Sequence, residues 1–263
     1  MYIIKVGGGA TINFEGIVRD LAAIDGPAMV VLGANAVRDD LVERLGIPKK
    51  TLTSVSGYTS VFSDEQAIEA IMMAYAGLQS SRFVELCQRY GVNAVGLSGV
   101  DGRAIQGQRN RGIRVREGGK TLIKRDFSGK PKSANAALFR LLMDNGYVPV
   151  LTIPIIDEDG YAINSENDDI VNVLQQALGA DHIVQLIEAP GFLEDRDDPA
   201  SLVATLSQSE LERREQQVEG RMKRKMLALR RLFETGASRV TIGDGRGPSP
   251  ISDALAGKGT VIQ

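Results

Sequence analysis

Tyr2-Ile3-Ile4-Lys5-Val6-Gly7-Gly8-Gly9 is a short apolar run, rich in β-branched residues, that stops at three glycines. It reads as a buried strand feeding a glycine turn. Apolar residues then recur at helical spacing over 14–24, at Ile17, Val18, Leu21, Ala22 and Ala23, ending near Gly26-Pro27. A second run, Ala28-Met29-Val30-Val31-Leu32, enters Gly33-Ala34-Asn35, with helical spacing again at Val37, Leu41, Val42 and Leu45. Short, uniformly apolar strands alternating with amphipathic helices predict a mainly parallel sheet covered on both faces, an α/β fold of the three-layer αβα sandwich type.

The alternation continues to the end of the chain. Ser63-Asp64-Glu65-Gln66 offers a capping box ahead of a long helix reaching about residue 90, and a strand follows at 94–97. Further on come a helix at 134–145, a strand at 148–154, a turn at Glu158-Asp159-Gly160, a helix at 166–178 and a strand at 182–187. A helix at 212–233 and strands at 239–242 and 260–262 close the pattern. Residues 103–132 break it: glycines, alternating apolar residues and many cations predict a twisted hairpin projecting from the sheet. This stretch holds ten cations against two anions, Glu117 and Asp126, so it carries +8 and the rest of the chain −10. No linker composition divides the sequence, which predicts one domain over 1–263.

The 263 residues are 43% hydrophobic and 24% charged, with a net charge of −2. This supports a large core, excludes disorder as the main state, and argues against binding nucleic acid through overall charge. Cys87, the single cysteine, allows no internal disulfide and no thiolate cluster. With His182 as the single histidine, a metal site and Cys/His-triad chemistry are set aside. The apolar start is too short for a membrane span or a signal peptide, so a cytoplasmic location without membrane contact is expected.

Glycines directly after a strand let backbone N–H groups close on an anion, although a plain strand-to-helix turn has the same pattern. Gly7, Gly8 and Gly9 match neither the Walker loop nor the dinucleotide fingerprint. Lys5 strengthens the phosphate reading, because an ammonium in an apolar strand must reach the sheet's C-terminal edge or meet an anion. Open parallel sheets bind ligands at that edge; the alternative is a solvated lysine on an edge strand. In Gly220-Arg221-Met222-Lys223-Arg224-Lys225 the cations crowd a turn and a half of helix, where they face either an anion or solvent. Asn164 and Asp168 stand four apart at a helix start and are expected to share a face; the aspartate either complements the helix dipole or acts in chemistry. Two lysines and an aspartate form a workable phosphoryl-transfer set, in which cations neutralise the equatorial oxygens and a carboxylate orients the lysines.

Taken together, Lys5-Val6-Gly7-Gly8-Gly9, Gly33-Ala34, Gly96-Leu97-Ser98-Gly99-Val100-Asp101-Gly102, Asn164 with Asp168, Pro190-Gly191, Gly220-Arg221-Met222 with Lys225, and Asp244-Gly245-Arg246 resemble the amino acid kinase family. The sequence looks most like the kinases of aminoadipate or glutamate held on a small acidic LysW-type carrier, and next like the N-acetylglutamate kinases. The resemblance implies phosphorylation of a side-chain carboxylate by ATP with Mg2+, giving an acyl phosphate without a covalent enzyme intermediate. Lys5, Lys225 and Asp168 then match the catalytic residues, Gly7, Gly8 and Gly9 the phosphate loop, and Gly33, Ala34 and Asn164 the substrate site. No resident metal site is implied. Residues 1–155 would form the acyl-acceptor lobe and 156–263 the nucleotide lobe.

Three departures bear on the acceptor. Leu32-Gly33-Ala34 replaces the family's His-Gly-Gly, Val61 stands where an arginine is expected, and Ile187-Glu188-Ala189-Pro190-Gly191 replaces a Ser-Asp/Asn-Val-x-Gly pattern. The missing arginine removes a charge-assisted contact of roughly 1.5–3 kcal/mol. The basic stretch suits docking of an acidic carrier protein, or alternatively serves as charge that discourages edge pairing. Free N-acetylglutamate as acceptor and a catalytically silent nucleotide-binding relative stay open as alternatives. An apolar stripe in the helix starting near Gln66 leads us to expect a homodimer, and the lack of a helical extension before Met1 to expect no arginine feedback.

Overall fold

β1 (Tyr2–Val6) runs into the glycines, and α1 (Phe14–Ala23), β2 (Ala28–Leu32) and α2 (Asn35–Arg44) follow. The computed structural model describes residues 1–263 other than 49, 54, 56–58, 118, 196 and 218–219, and leaves out the side chains at 53, 59–61, 113, 117 and 220–225. Next come β3 (Thr51–Thr53), β4 (Thr59–Val61) and α3 (Glu65–Ile71), which passes through a π-helical stretch, Met72–Gln79, into α4 (Ser80–Arg89). Then follow β5 (Ala94–Gly99), β6 (Ile105–Arg109), β7 (Ile113–Glu117), β8 (Lys120–Lys124), β9 (Gly129–Ala134), α5 (Ala136–Asp144), β10 (Val148–Ile156) and β11 (Ala162–Ile163). The last part holds α6 (Asn167–Leu178), β12 (His182–Ile187), β13 (Thr205–Leu206), α7 (Gln208–Gln217), α8 (Gly220–Glu234), β14 (Val240–Asp244), α9 (Pro250–Leu255) and β15 (Thr260–Ile262).

The main sheet runs β13-β15-β14-β12-β1-β2-β10, with β5 alongside β10 and β6-β9 extending from the last residue of β10. β1 is parallel to both neighbours, Tyr2 standing opposite His182 and Ala28. Antiparallel pairing is confined to β14-β15, β6-β9 and β10-β11 within this sheet, among the described residues. Strand alternation divides the apolar residues between two cores. Ile3, Met29, Val31, Leu151 and Ile183 meet Phe139, Ile170, Leu174, Met226 and Leu229 from α5, α6 and α8. Ile4, Val6, Val30, Leu32 and Leu186 meet Ile17, Val18, Phe83 and Ile251 from α1, α4 and α9. This is the three-layer αβα arrangement, with uniformly apolar strands because both faces are covered.

Local chemistry sets the helix starts. Asn13 accepts the Gly16 N–H at 3.0 Å and Asn135 the Leu138 N–H at 3.2 Å, caps worth about 1 kcal/mol each. Buried Asp20 on α1 accepts the N–H groups of Ile251 and Ser252 at 2.8 and 2.9 Å, tying α1 to the start of α9.

The structure departs from the sequence reading in four places. The cap of α3 is Asp64, which accepts the Ala67 N–H at 3.0 Å, so the Ser63 hydroxyl is left for other work. The basic stretch does not project as a whole: β6 and β9 join the main sheet, and only β7-β8 form a separate ribbon. The helix expected over 212–233 is two, α7 and α8. Asn164 lies before α6 in an isolated bridge to Ser128, so it does not share a helix face with Asp168. Among the described residues no helix is long and apolar enough to cross a membrane.

His182 begins β12 and is buried, with Nε2 2.8 Å from the Thr241 hydroxyl. Burial, and then the charge of Arg239, lowers its pKa to about 4. Between about 6.5 and about 4 the unfolded chain binds a proton that the folded chain refuses, so stability falls as pH drops through that window. We expect His182→Gln to flatten the decline of Tm over this range; parallel Tm profiles for variant and wild type would refute the assignment.

Candidate active site

Parallel pairing sets Lys5 beside Gln185 of β12 and Val31 of β2. Strand alternation turns Lys5 to the same face as Ile3, where the first turn of α6 meets the sheet. Lys5 Nζ lies 2.7 Å from Asp168 Oδ1, the lysine side chain being 13% exposed and the aspartate 30%. With strands on both sides of β1, the solvated edge-strand reading of Lys5 is excluded. Its charge is met by a carboxylate that the positive end of α6 also favours.

The glycines beyond Lys5 have distinct parts. The Gly7 N–H donates to the Leu186 carbonyl at 2.9 Å and so extends the strand ladder. Gly8 crosses the turn after β2 backbone to backbone. A Cβ on Gly8 would fall 2.4 Å from the Asn35 nitrogen, and one on Gly33 2.6 Å from the Gly8 nitrogen. The Ala36 N–H donates to the Gly8 carbonyl at 2.8 Å and the Gly33 N–H to the Val6 carbonyl at 2.9 Å, locking the two turns together. Ala34, buried, is the residue from which α2 starts. Gly9 lies under Glu188, whose carboxylate a Cβ at Gly9 would overlap.

Glu188 entered the sequence reading only as a departure; in the structure it braces the loop. Its Oε1 accepts the Thr11 N–H at 2.9 Å and the Thr11 hydroxyl at 2.7 Å. These bonds, with the charge of Arg246 adding to them, hold the carboxyl below the usual range. Tyr75, buried in the π-helical stretch, donates its hydroxyl to Asn35 Oδ1 at 2.6 Å beside the crossing turns, and burial pushes its phenol up. The sequence analysis does not single out Tyr75, because its partner Asn35 lies on another helix, 40 residues away.

Asn164 is held at the base of the basic stretch. Its N–H donates to the Phe127 carbonyl at 2.8 Å, its carbonyl accepts the Gly129 N–H at 3.0 Å, and its side-chain amide donates to Ser63 Oγ at 3.2 Å. The side chains of Lys225 and Val61 lie outside the described residues. Lys225 belongs to α8. This helix is bonded to α6: Asn172, one turn on from Asp168, donates to the Ala228 carbonyl at 3.1 Å and to the Asp168 carbonyl at 3.0 Å.

A strand-borne lysine clamped to an aspartate beside a glycine crossing is thus in place, and comparison with known proteins gives it a family. The model of the Amino acid kinase family matches residues 1–244. The chain belongs to that family. Among similar amino acid kinase relatives, the [LysW]-aminoadipate kinase of Deinococcus radiodurans is 40% identical over 266 residues, covering 100% of this chain and 91% of the relative. The acetylglutamate kinase of Methanopyrus kandleri is 31% identical, with 100% of each chain covered. The solved structure of N-acetylglutamate synthase from Neisseria gonorrhoeae, with coenzyme A and N-acetyl-glutamate, superposes with a TM-score of 0.78 at 19% identity. It covers 99% of this chain, which spans 58% of that longer one, and it shows a shared fold.

Proposed function

We propose that this amino acid kinase transfers the γ-phosphoryl group of ATP to the side-chain carboxylate of aminoadipate held on a LysW-type acidic carrier, giving an acyl phosphate. The observation that carries the reading is the Lys5–Asp168 pair, 2.7 Å apart, at the glycine edge of the sheet. The resemblance to [LysW]-aminoadipate kinases narrows the acceptor.

The chemistry asks little of acid–base groups. A carboxylate acceptor has an ordinary pKa near 4.3 and is already ionised at neutral pH, so no general base is needed. That agrees with the single histidine standing at the start of β12, the far end of the strand from Glu188. One acceptor oxygen attacks phosphorus as the bond to ADP breaks, and charge spreads over the equatorial oxygens. Lys5 neutralises part of it, Asp168 keeps the ammonium aimed, and Lys225 acts as the second cation. Since Gly7 uses its N–H in the ladder, phosphate contact falls to Gly8 and Gly9. The tight backbone crossing at Gly8 and Gly33 fixes the course of the Gly8-Gly9 backbone, along which a polyphosphate tail would lie. Magnesium bound with ATP would add positive charge to the phosphates, with Asp168 the carboxylate that would face it.

Gly33, Ala34 and Asn164 would line the acceptor side, residues 1–155 forming that lobe and 156–263 the nucleotide lobe. A cleft of about 170 Å³ lined by Arg109, Arg111, Lys130 and Lys132 would receive the acidic carrier. Met72, Met73 and Leu78, exposed on the π-helical stretch, would form a homodimer contact in the cytoplasm.

The test measures ADP release with ATP and either aminoadipate-loaded carrier or free N-acetylglutamate. Turnover on the loaded carrier is expected, with a KM that rises as salt screens the hairpin. Turnover on N-acetylglutamate alone would give the chain the activity named for its Methanopyrus relative, and nucleotide binding without turnover on either would make it a silent relative.

A further inference from the structure

Asp126 is 2% exposed although it sits among ten cations, and its carboxylate is met by neutral donors. Oδ2 accepts the Ser63 N–H at 3.3 Å and Oδ1 the Ser128 hydroxyl at 2.6 Å. Arg109 binds the carbonyl of Asp126, at 2.7 Å through Nε, and its guanidinium stacks 3.9 Å from the centre of the Phe127 ring. Burying a carboxylate is costly even when it is paired, so Asp126 contributes more through the groups it orders than through stability.

The surroundings indicate that role. The Phe127 N–H donates to the Ser63 carbonyl at 2.7 Å, while the Phe127 carbonyl accepts the Asn164 N–H at 2.8 Å. The segment from Asp126 to Gly129 therefore lies between Ser63 and Asn164. Ser63, which does not cap α3, has its hydroxyl placed to accept the Asn164 amide at 3.2 Å. With Nδ2 fixed on Ser63, Oδ1 of the amide is directed elsewhere.

We propose that Asp126 is a positioning residue: by holding Ser63 it sets the orientation of the Asn164 amide, so that the acceptor site is built partly from the base of the basic hairpin. Arg109 lines the basic cleft and grips the carbonyl of Asp126, so an acidic partner bound in the cleft bears directly on the segment that holds Asn164. This rests on the reading of Asn164 as an acceptor contact.

The experiment measures KM for aminoadipate-loaded carrier and for ATP in wild type, Asp126→Ala, Asp126→Asn and Ser63→Ala. Asp126→Ala and Ser63→Ala should each raise the acceptor KM about tenfold, the scale of one lost polar contact, with the ATP KM within about twofold. Asp126→Asn keeps an acceptor oxygen for the Ser63 N–H and should restore the acceptor KM to within about threefold of wild type. Equal losses in kcat and both KM values, or no rescue by asparagine, would overturn the proposal. The side-chain amide resonance of Asn164, identified by its disappearance in Asn164→Asp, gives an arm independent of turnover. It should shift in Ser63→Ala and in Asp126→Ala and return in Asp126→Asn; an unmoved resonance overturns the relay. Wild type inactive on the carrier, with the resonance responding as expected, would instead refute the acceptor reading and leave the relay standing.

Discussion

Lys5→Met is expected to lower kcat by about 10²- to 10³-fold, the loss that follows removal of one preorganised charge stabiliser from a transition state. Methionine keeps the apolar stem that packs in the strand and deletes only the ammonium. Asp168 is left without the lysine but, being 30% exposed, it can be hydrated, so the fold should tolerate the change. Circular dichroism and Tm close to wild type, with kcat lost far more than ATP affinity, would mark a transition-state role. A kcat within threefold of wild type would refute it. Lys225→Ala should cost at least about tenfold by the same logic. If both lysines act on one migrating group, the double variant should lose less than the product of the single losses. A simple product would assign them to separate events.

How much of this was legible in the sequence depends on the range of the interactions involved. The β1 run and its glycines declared a buried strand and a turn because a short β-branched apolar run and glycine chemistry are local signals. The two-faced cover of the sheet followed from strands with no polar side. The lysine inside β1 pointed to an anion, and the structure supplies Asp168. What was hidden depends on pairing between distant residues. β6 and β9 look like the rest of a cationic hairpin until their pairing with each other and with β10 draws them into the main sheet. Ser63 and Asp64 are both good caps, and only the approach of Asp126 and Asn164, distant in sequence, decides that Asp64 caps and Ser63 relays. Glu188 stood out as an unusual residue, but its contact with Thr11 requires β12 to lie next to β1. The contact of Tyr75, on the π-helical stretch, with Asn35 joins residues 40 apart on different helices, so no local period shows it.

Gly8→Ala should damage the enzyme nearly as much as loss of Lys5, by a different route. The added Cβ would lie 2.4 Å from the Asn35 nitrogen, 2.6 Å from the Ala34 nitrogen and 2.9 Å from the Gly33 carbonyl carbon. All three are backbone atoms, so no side chain can swing aside; the turns after β1 and β2 must separate. Overpacking of this kind costs about 1–3 kcal/mol, and at about 2–4 °C per kcal/mol in a chain of this size it should lower Tm by several degrees. Activity should fall further than stability, since a displacement of about 1 Å in a positioned group can cost about 10²-fold in rate. The same crossing sets the Gly8-Gly9 backbone relative to Lys5. Gly77→Ala is the control: its nearest neighbour would be the Met72 carbonyl oxygen at 3.4 Å, an ordinary contact, and in a helix alanine should be neutral or stabilising. If Gly8→Ala matched Gly77→Ala in both Tm and kcat, the two turns would not cross as closely as the structure places them, and phosphate contact by the Gly8-Gly9 backbone would lose its basis.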